Sequence, residues 1–115
     1  MKRDAVNPLK AVGDANRVRI LKMLEERELC VCEVREILDL SNSTVSQHLA
    51  LLRSADLIVD TKDGKWVNYR LHVESGNVLV RSLLDLMKKS FEDDETVRED
   101  KKKARRVDRV KICGI

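Results

Sequence analysis

Two stretches with helical apolar spacing, Cys32 to Asp39 and Asn42 to Ser54, are separated by only Leu40 and Ser41. So short a connection turns the second helix sharply against the first and leaves both on one shared core. Ser41 is an N-cap residue type, and Leu40 and Val45 stand at the N′ and N4 positions of a hydrophobic staple. Val34, Ile37 and Leu38 share one face of the first helix, and Val45, Leu49 and Leu52 one face of the second. Downstream, Leu57-Ile58-Val59 reads as a strand and Lys62-Asp63-Gly64-Lys65 as a hairpin turn of the Asp-Gly kind. Trp66 to Leu71 alternates as the return strand. Helix, short turn, helix and hairpin predict a mainly α fold with a small β-hairpin wing, a winged helix-turn-helix.

The flanks fit that core. Asn7-Pro8 places a cap before a proline at N1, opening a first helix through about Val12. Gly13 breaks it, and Asp14 caps a second helix from Ala15 to Glu26, with Val18, Ile20, Leu21 and Leu24 apolar and Arg17, Arg19 and Lys22 elsewhere. Residues 28–30 read as a short extended link. Glu74 to about Phe91 reads as a last long helix. Its apolar residues Val78, Leu79, Leu83, Leu84, Leu86 and Met87 make a face wide for one monomer, which predicts a partner helix and hence a homodimer. With one each of Trp, Tyr and Phe, the core must be aliphatic and thin. The domain is expected to occupy residues 1–91. Residues 92–115 turn into charge blocks, acidic over Glu92–Glu95 and mostly basic over Lys101–Arg106, and read as a flexible tail.

Charge alone makes no case for nucleic acid. The formal net charge is +3, and residues 28–70 carry five Lys/Arg against seven Asp/Glu. The case rests on pattern. The outward positions opening the Asn42–Ser54 helix are Asn42, Ser43, Thr44, Ser46 and Gln47, small hydrogen-bonding groups suited to base edges and phosphates of double-stranded DNA. His48 sits at the boundary of this face, where packing or a phosphate contact suits it better than metal binding. Lys62 and Lys65 flank the hairpin tip, where a wing meets the phosphate backbone.

Cys30 and Cys32 sit one residue apart at the root of this unit. Thiolates are soft ligands for As(III), Sb(III), Cd(II), Pb(II) or Zn(II), and a helix N-terminus is expected to lower a thiol pKa. Side chains at i and i+2 of a regular helix point about 200° apart. Both sulfurs can therefore meet one ion only if the first helical turn distorts, which makes a switch. A sensor of another soft metal, such as Cd(II) or Pb(II), and a repressor that senses oxidation of the pair are the alternatives. Cys113, in the tail, is the remaining thiol. An odd cysteine count without a framework spacing suggests a reduced, cytoplasmic protein. No apolar run approaches the roughly 20 residues of a membrane span, and the N-terminus lacks a signal-peptide pattern. An enzyme is not expected: there is no Cys-x-x-Cys and no base near the thiols in sequence.

Glu28 to Val34, Ser41 to Leu49 and Asp63 to Leu71, together with Leu9 to Leu24 and its Asp14-Ala-Asn-Arg17, resemble the ArsR/SmtB family of winged-helix metalloregulators. Glu-Leu-Cys-Val-Cys-Glu-Val resembles the arsenical-resistance repressors within it. The resemblance covers roughly residues 5–90. It implies a homodimeric repressor whose first and last helices build the dimer. Such a repressor needs no cofactor to bind operator DNA and is released by As(III) or Sb(III) as inducer. Some of these repressors carry a third Cys where this chain has Arg35, so Cys113 or a small thiol such as glutathione must complete a three-sulfur site. The family's zinc sensors use His on the last helix, and Glu74–Phe91 has none. Asp56 stands where the family often has Gly.

Overall fold

The computed structural model describes residues 7–113, with Cys113 described in its backbone only. The elements run α1 (Pro8–Ala11), α2 (Ala15–Met23), β1 (Leu29–Cys30), α3 (Val31–Leu38), α4 (Asn42–Ser54), β2 (Ile58–Asp63), β3 (Trp66–Leu71), α5 (Val78–Lys88), α6 (Glu95–Arg106) and α7 (Arg109–Cys113). The caps read from the sequence are made. The Asn7 side chain accepts from Leu9 N at 2.9 Å, Asp14 from Arg17 N at 3.1 Å, and Ser41 Oγ from Thr44 N at 3.2 Å. Ile20, Leu21, Leu29, Val34, Val45, Leu49, Leu52 and Leu57 are fully buried in one aliphatic core.

The extended link over residues 28–30 is more than a link. Leu29 and Cys30 form a strand that pairs antiparallel with β3, Leu29 across from Tyr69 and Cys30 across from Asn68. The sheet therefore has three strands in the order β1-β3-β2, with β1 bracing the middle of the hairpin. The turn centres on Gly64-Lys65, between the closing pair Asp63 and Trp66, one residue beyond the Asp-Gly step. Gly64 takes φ +62°, which suits glycine at the first central position of a two-residue hairpin loop. Asp39 and Asp56 close α3 and α4 at φ 56° and 67°, a left-handed region that Asp tolerates better than most residues.

Two expectations are corrected. The helix read from Glu74 starts at Val78, because Ser75-Gly76-Asn77 forms a turn in which Asn77 Oδ1 accepts from Leu79 N at 2.9 Å. Nor is this the last helix. Residues 95–113, read as a flexible tail, form α6 and α7 and pack on α2 and α3. Val97, Asp100 and Ala104 face inward and are buried, giving the charged block an apolar seam too narrow to stand out in the sequence. Its charges meet complements on and just beyond α2. Arg19 clasps Asp100 through Nε at 2.7 Å and Nη2 at 3.0 Å, Lys101 meets Glu25 at 2.9 Å, and Arg105 meets Glu26 at 3.0 Å.

Lys22, read as lying off the apolar face of α2, is fully buried. Its ammonium donates to Met87 O at 2.7 Å, near the C-terminal end of α5, and pairs with Glu25 at 3.0 Å. It ties α2 to α5 where free carbonyls favour a cation. No helix among the described residues is long and apolar enough to cross a membrane.

Asp100 is nearly inaccessible while its partner Arg19 remains a quarter exposed. Removing the carboxylate leaves a half-buried guanidinium without its fork partner. Asp100→Ala is expected to lower stability by about 2 kcal/mol in chemical denaturation. A loss within a few tenths of a kcal/mol would show that α6 is not part of the packed unit.

Candidate DNA-reading face and thiol site

The face opening α4 presents four of the five side chains read as outward. Asn42, Ser43, Ser46 and Gln47 are exposed, while Thr44 and His48 are half-buried. The Thr44 hydroxyl is engaged in the cap, accepting from Ser41 Oγ at 2.9 Å. His48 Nδ1 lies 3.4 Å from Arg17 Nη1. A guanidinium has donors only, so this contact is a hydrogen bond in the tautomer whose Nδ1 is unprotonated. Arg17 is itself fixed by donating from Nε to Ala11 O at 2.7 Å. It is a positioning residue that the local pattern of α2 does not single out.

Lys62 and Lys65 are exposed around the hairpin tip. Lys65 Nζ lies 5.8 Å from the Trp66 ring centroid. Arg109 of α7 packs its guanidinium on the same ring at 4.7 Å and donates to Asn68 Oδ1 and Asp63 Oδ2, each at 3.0 Å. Nothing in the sequence linked residue 109 to the wing, since the contact spans more than 40 positions.

The two thiols sit in different settings. Cys30 ends β1 and is the N-cap of α3, with extended φ −91° and ψ 171°. It is free and buried. Its N–H donates to Glu33 Oε1 at 3.0 Å, the reciprocal half of a capping box. Burial, chiefly, pushes its pKa up, with the Glu33 carboxylate adding to the rise. The expected helix-terminus lowering is therefore overruled at Cys30, where desolvation of the thiolate wins. Cys32, in the first turn of α3, is half-buried and disulfide-bonded. The side chain of Cys113 lies outside the described residues, but α7, which ends at this residue, packs against α3. Among the described residues no three His, Cys, Asp or Glu side chains come together as a metal site. Arg35, at the position of a third sulfur in the resembling repressors, supplies no ligand, and its Nε is buried without a hydrogen-bond partner.

Because Cys30 already lies outside helical dihedrals, a shared ion need not unwind α3. The cap that such an ion would meet is the Cys30 N–H to Glu33 Oε1 bond. Glu33 Oε2 accepts from Arg27 Nη2 at 2.8 Å. Arg27 also donates to Ala104 O and Val107 O, each at 2.7 Å. A cleft of about 660 Å³ opens beside this joint, lined by Arg27, Glu33, Asn68 and the α6–α7 connection.

A helix-turn-helix with an exposed polar face opening its second helix and a braced hairpin defines the winged helix-turn-helix class. The comparisons agree. Residues 14–59 match the model described as bacterial regulatory protein, arsR family. The arsenical resistance operon repressor of Bacillus subtilis is 36% identical over 87 residues, 74% of this chain and 83% of that protein. The arsenic resistance transcriptional regulator ArsR1 of Pseudomonas putida is 47% identical over 66 residues, 56% of this chain and 52% of that protein, so the match spans about half of that relative's length. The structure of reduced HlyU from Vibrio cholerae superposes with a TM-score of 0.59 at 37% identity, covering 70% of this chain and 81% of that one. The chain belongs to the arsR family of bacterial regulatory proteins. It is a regulator and not an enzyme.

The settings of the two thiols predict different reactivity. In the reduced protein at neutral pH, brief alkylation read by peptide mass spectrometry should label Cys32 at least about tenfold faster than Cys30, because the thiolate is the nucleophile. Equal rates would mean that Cys30 is neither shielded nor shifted.

Proposed function

We propose that the chain is a metalloid-responsive transcriptional repressor. It binds operator DNA as a homodimer in the cytoplasm and releases it when As(III) or Sb(III) joins Cys30 and Cys32, with a third sulfur from Cys113 or a small thiol. One observation carries the reading. Cys30 belongs to the strand that braces the wing, and Cys32 to the first turn of the helix that supports α4. An ion held by both sulfurs therefore spans the joint between the two DNA-contacting parts. Soft thiolates suit As(III), and the packing of α7 against α3 favours Cys113 as the third donor. The named function of the Bacillus subtilis and Pseudomonas putida relatives is arsenical resistance, which supports this inducer class.

The homodimer is supported by Leu9 on α1 and by Val78, Leu79 and Leu86 on α5, which stay 55%, 66%, 37% and 56% exposed. Apolar surface of that kind on neighbouring helices suits a second copy. Asn42, Ser43, Ser46 and Gln47 then read base edges and phosphates, with Thr44 and His48 at the margin and Lys62 and Lys65 on the backbone. Half-sites lie about one helical turn apart, on the order of 34 Å.

A second reading, a thiol-redox repressor, has a specific observation in its favour: Cys32 is disulfide-bonded. The two separate in one experiment. Operator affinity is measured by anisotropy for reduced protein, reduced protein with As(III), and oxidised protein. The metalloid reading expects about a hundredfold loss with As(III), roughly 2.7 kcal/mol of coupling. It also expects Cys30→Ser and Cys32→Ser to keep DNA affinity and lose release. Release on oxidation but not on As(III) would move the function to redox sensing. Release of both variants by As(III) would place the site elsewhere.

The DNA face is tested separately. Gln47→Ala is expected to weaken operator binding more than non-specific binding, and Lys65→Ala both alike, with a salt slope reduced by about one. Equal losses in both contexts for Gln47→Ala would remove it from the base-reading set.

A further inference from the structure

Strand β1 braces the hairpin only as far as Asn68, through the Cys30–Asn68 pair. Beyond it, residues 62–67 overhang as a two-stranded ribbon carrying Lys62 and Lys65, and such a ribbon is barely stable by itself. Arg109 fastens this overhang. Its fork holds Asp63 on β2 and Asn68 on β3, and its plane covers Trp66. A fork and a stacked face need a planar guanidinium, which a lysine cannot supply. Arg109 stands two residues after Val107, whose carbonyl is held by Arg27, and Arg27 also holds the Glu33 carboxylate that caps Cys30.

We propose that Arg109 is a positioning residue for the wing, holding it in the DNA-binding posture from α7, so that displacement of α7 frees the wing. The displacement by inducer rests on the thiol site proposed above, since α7 ends at Cys113. The clamp itself does not. While attached, the short helix fixes the direction of Lys62 and Lys65. Once detached, the overhang samples many postures, and operator contact costs the entropy of ordering it.

The test uses the full chain, reduced, as wild type, Arg109→Ala and Arg109→Lys. Operator affinity is measured across a salt series, together with the emission of Trp66, the sole tryptophan. Arg109→Ala should weaken operator binding about tenfold, leave the salt slope unchanged and shift Trp66 emission in the free protein, with unchanged circular dichroism. Arg109→Lys should not recover the loss. A direct phosphate contact would instead lower the slope by about one and be rescued by lysine, which would overturn the proposal. So would an affinity within twofold of wild type, or a gain, either of which would make the clamp incidental or inhibitory. As(III) is then added. The emission of wild type should move in the direction of the Arg109→Ala shift, and the variant should show no further change. Release of DNA from wild type with Trp66 unmoved would overturn the transmission step. Absence of any As(III) binding would refute the thiol site alone, because the ligand-free series decides the clamp either way.

Discussion

Arg27 is the interaction on which the rest depends. One guanidinium donates to the last carbonyls of α6 and to the carboxylate that caps Cys30, besides a contact with Glu28 O at 3.2 Å. Charge-assisted hydrogen bonds are the stronger kind, and here one side chain makes several at a single joint. It joins the C-terminal end of α6, seated elsewhere by its buried seam and by the Arg19–Asp100 pair, to the carboxylate that caps the turn from β1 into α3. The joint is also where the two thiols lie. Cys30 and Cys32 thus lie where β1, α3 and the C-terminal helices come together.

The proposed function asks a compact aliphatic domain to act as a switch. Packed cores do not deform continuously, so a ligand acts by selecting between discrete arrangements. In the ligand-free arrangement Cys30 is buried and held as a thiol, and the Glu33 cap is closed. On the proposed function, a soft ion that draws Cys30 toward Cys32 would act on that cap and on the Cys30–Asn68 pairing, and the energy of ligation would work against contacts that orient the wing and α4. Operator DNA must oppose ligation to the same extent, because coupling is reciprocal.

The helix-turn-helix was legible from sequence because its signals are local. The Ser41 cap, the Leu40–Val45 spacing and the short turn decide α3 and α4 within a dozen residues, and the alternation after Trp66 decides β3. What was illegible depends on distant partners. Two residues, Leu29 and Cys30, make a strand only because β3 is there to pair with. Lys22 looks like a surface lysine until the end of α5 supplies Met87 O. The charge block after Glu92 reads as solvated because its complements, Arg19, Glu25 and Glu26, lie some 70 to 80 positions earlier. Asn42, Ser43, Ser46 and Gln47 are exposed as read, whereas Thr44 is half-buried and the ionisation of Cys30 differs from its reading, because burial is not visible in spacing.

The proposed function has Cys30 and Cys32 hold a single metalloid ion, and the packing of α7 against α3 favours Cys113 over a small thiol as the third sulfur. Arsenic K-edge X-ray absorption counts the sulfur neighbours directly. On the reduced protein with one equivalent of As(III) and no added thiol, the account predicts three sulfurs and no oxygen around each arsenic, falling to two in Cys113→Ser. A site with two sulfurs and an oxygen in the wild type, unchanged in Cys113→Ser, would contradict it and leave the C-terminal helix outside the sensor.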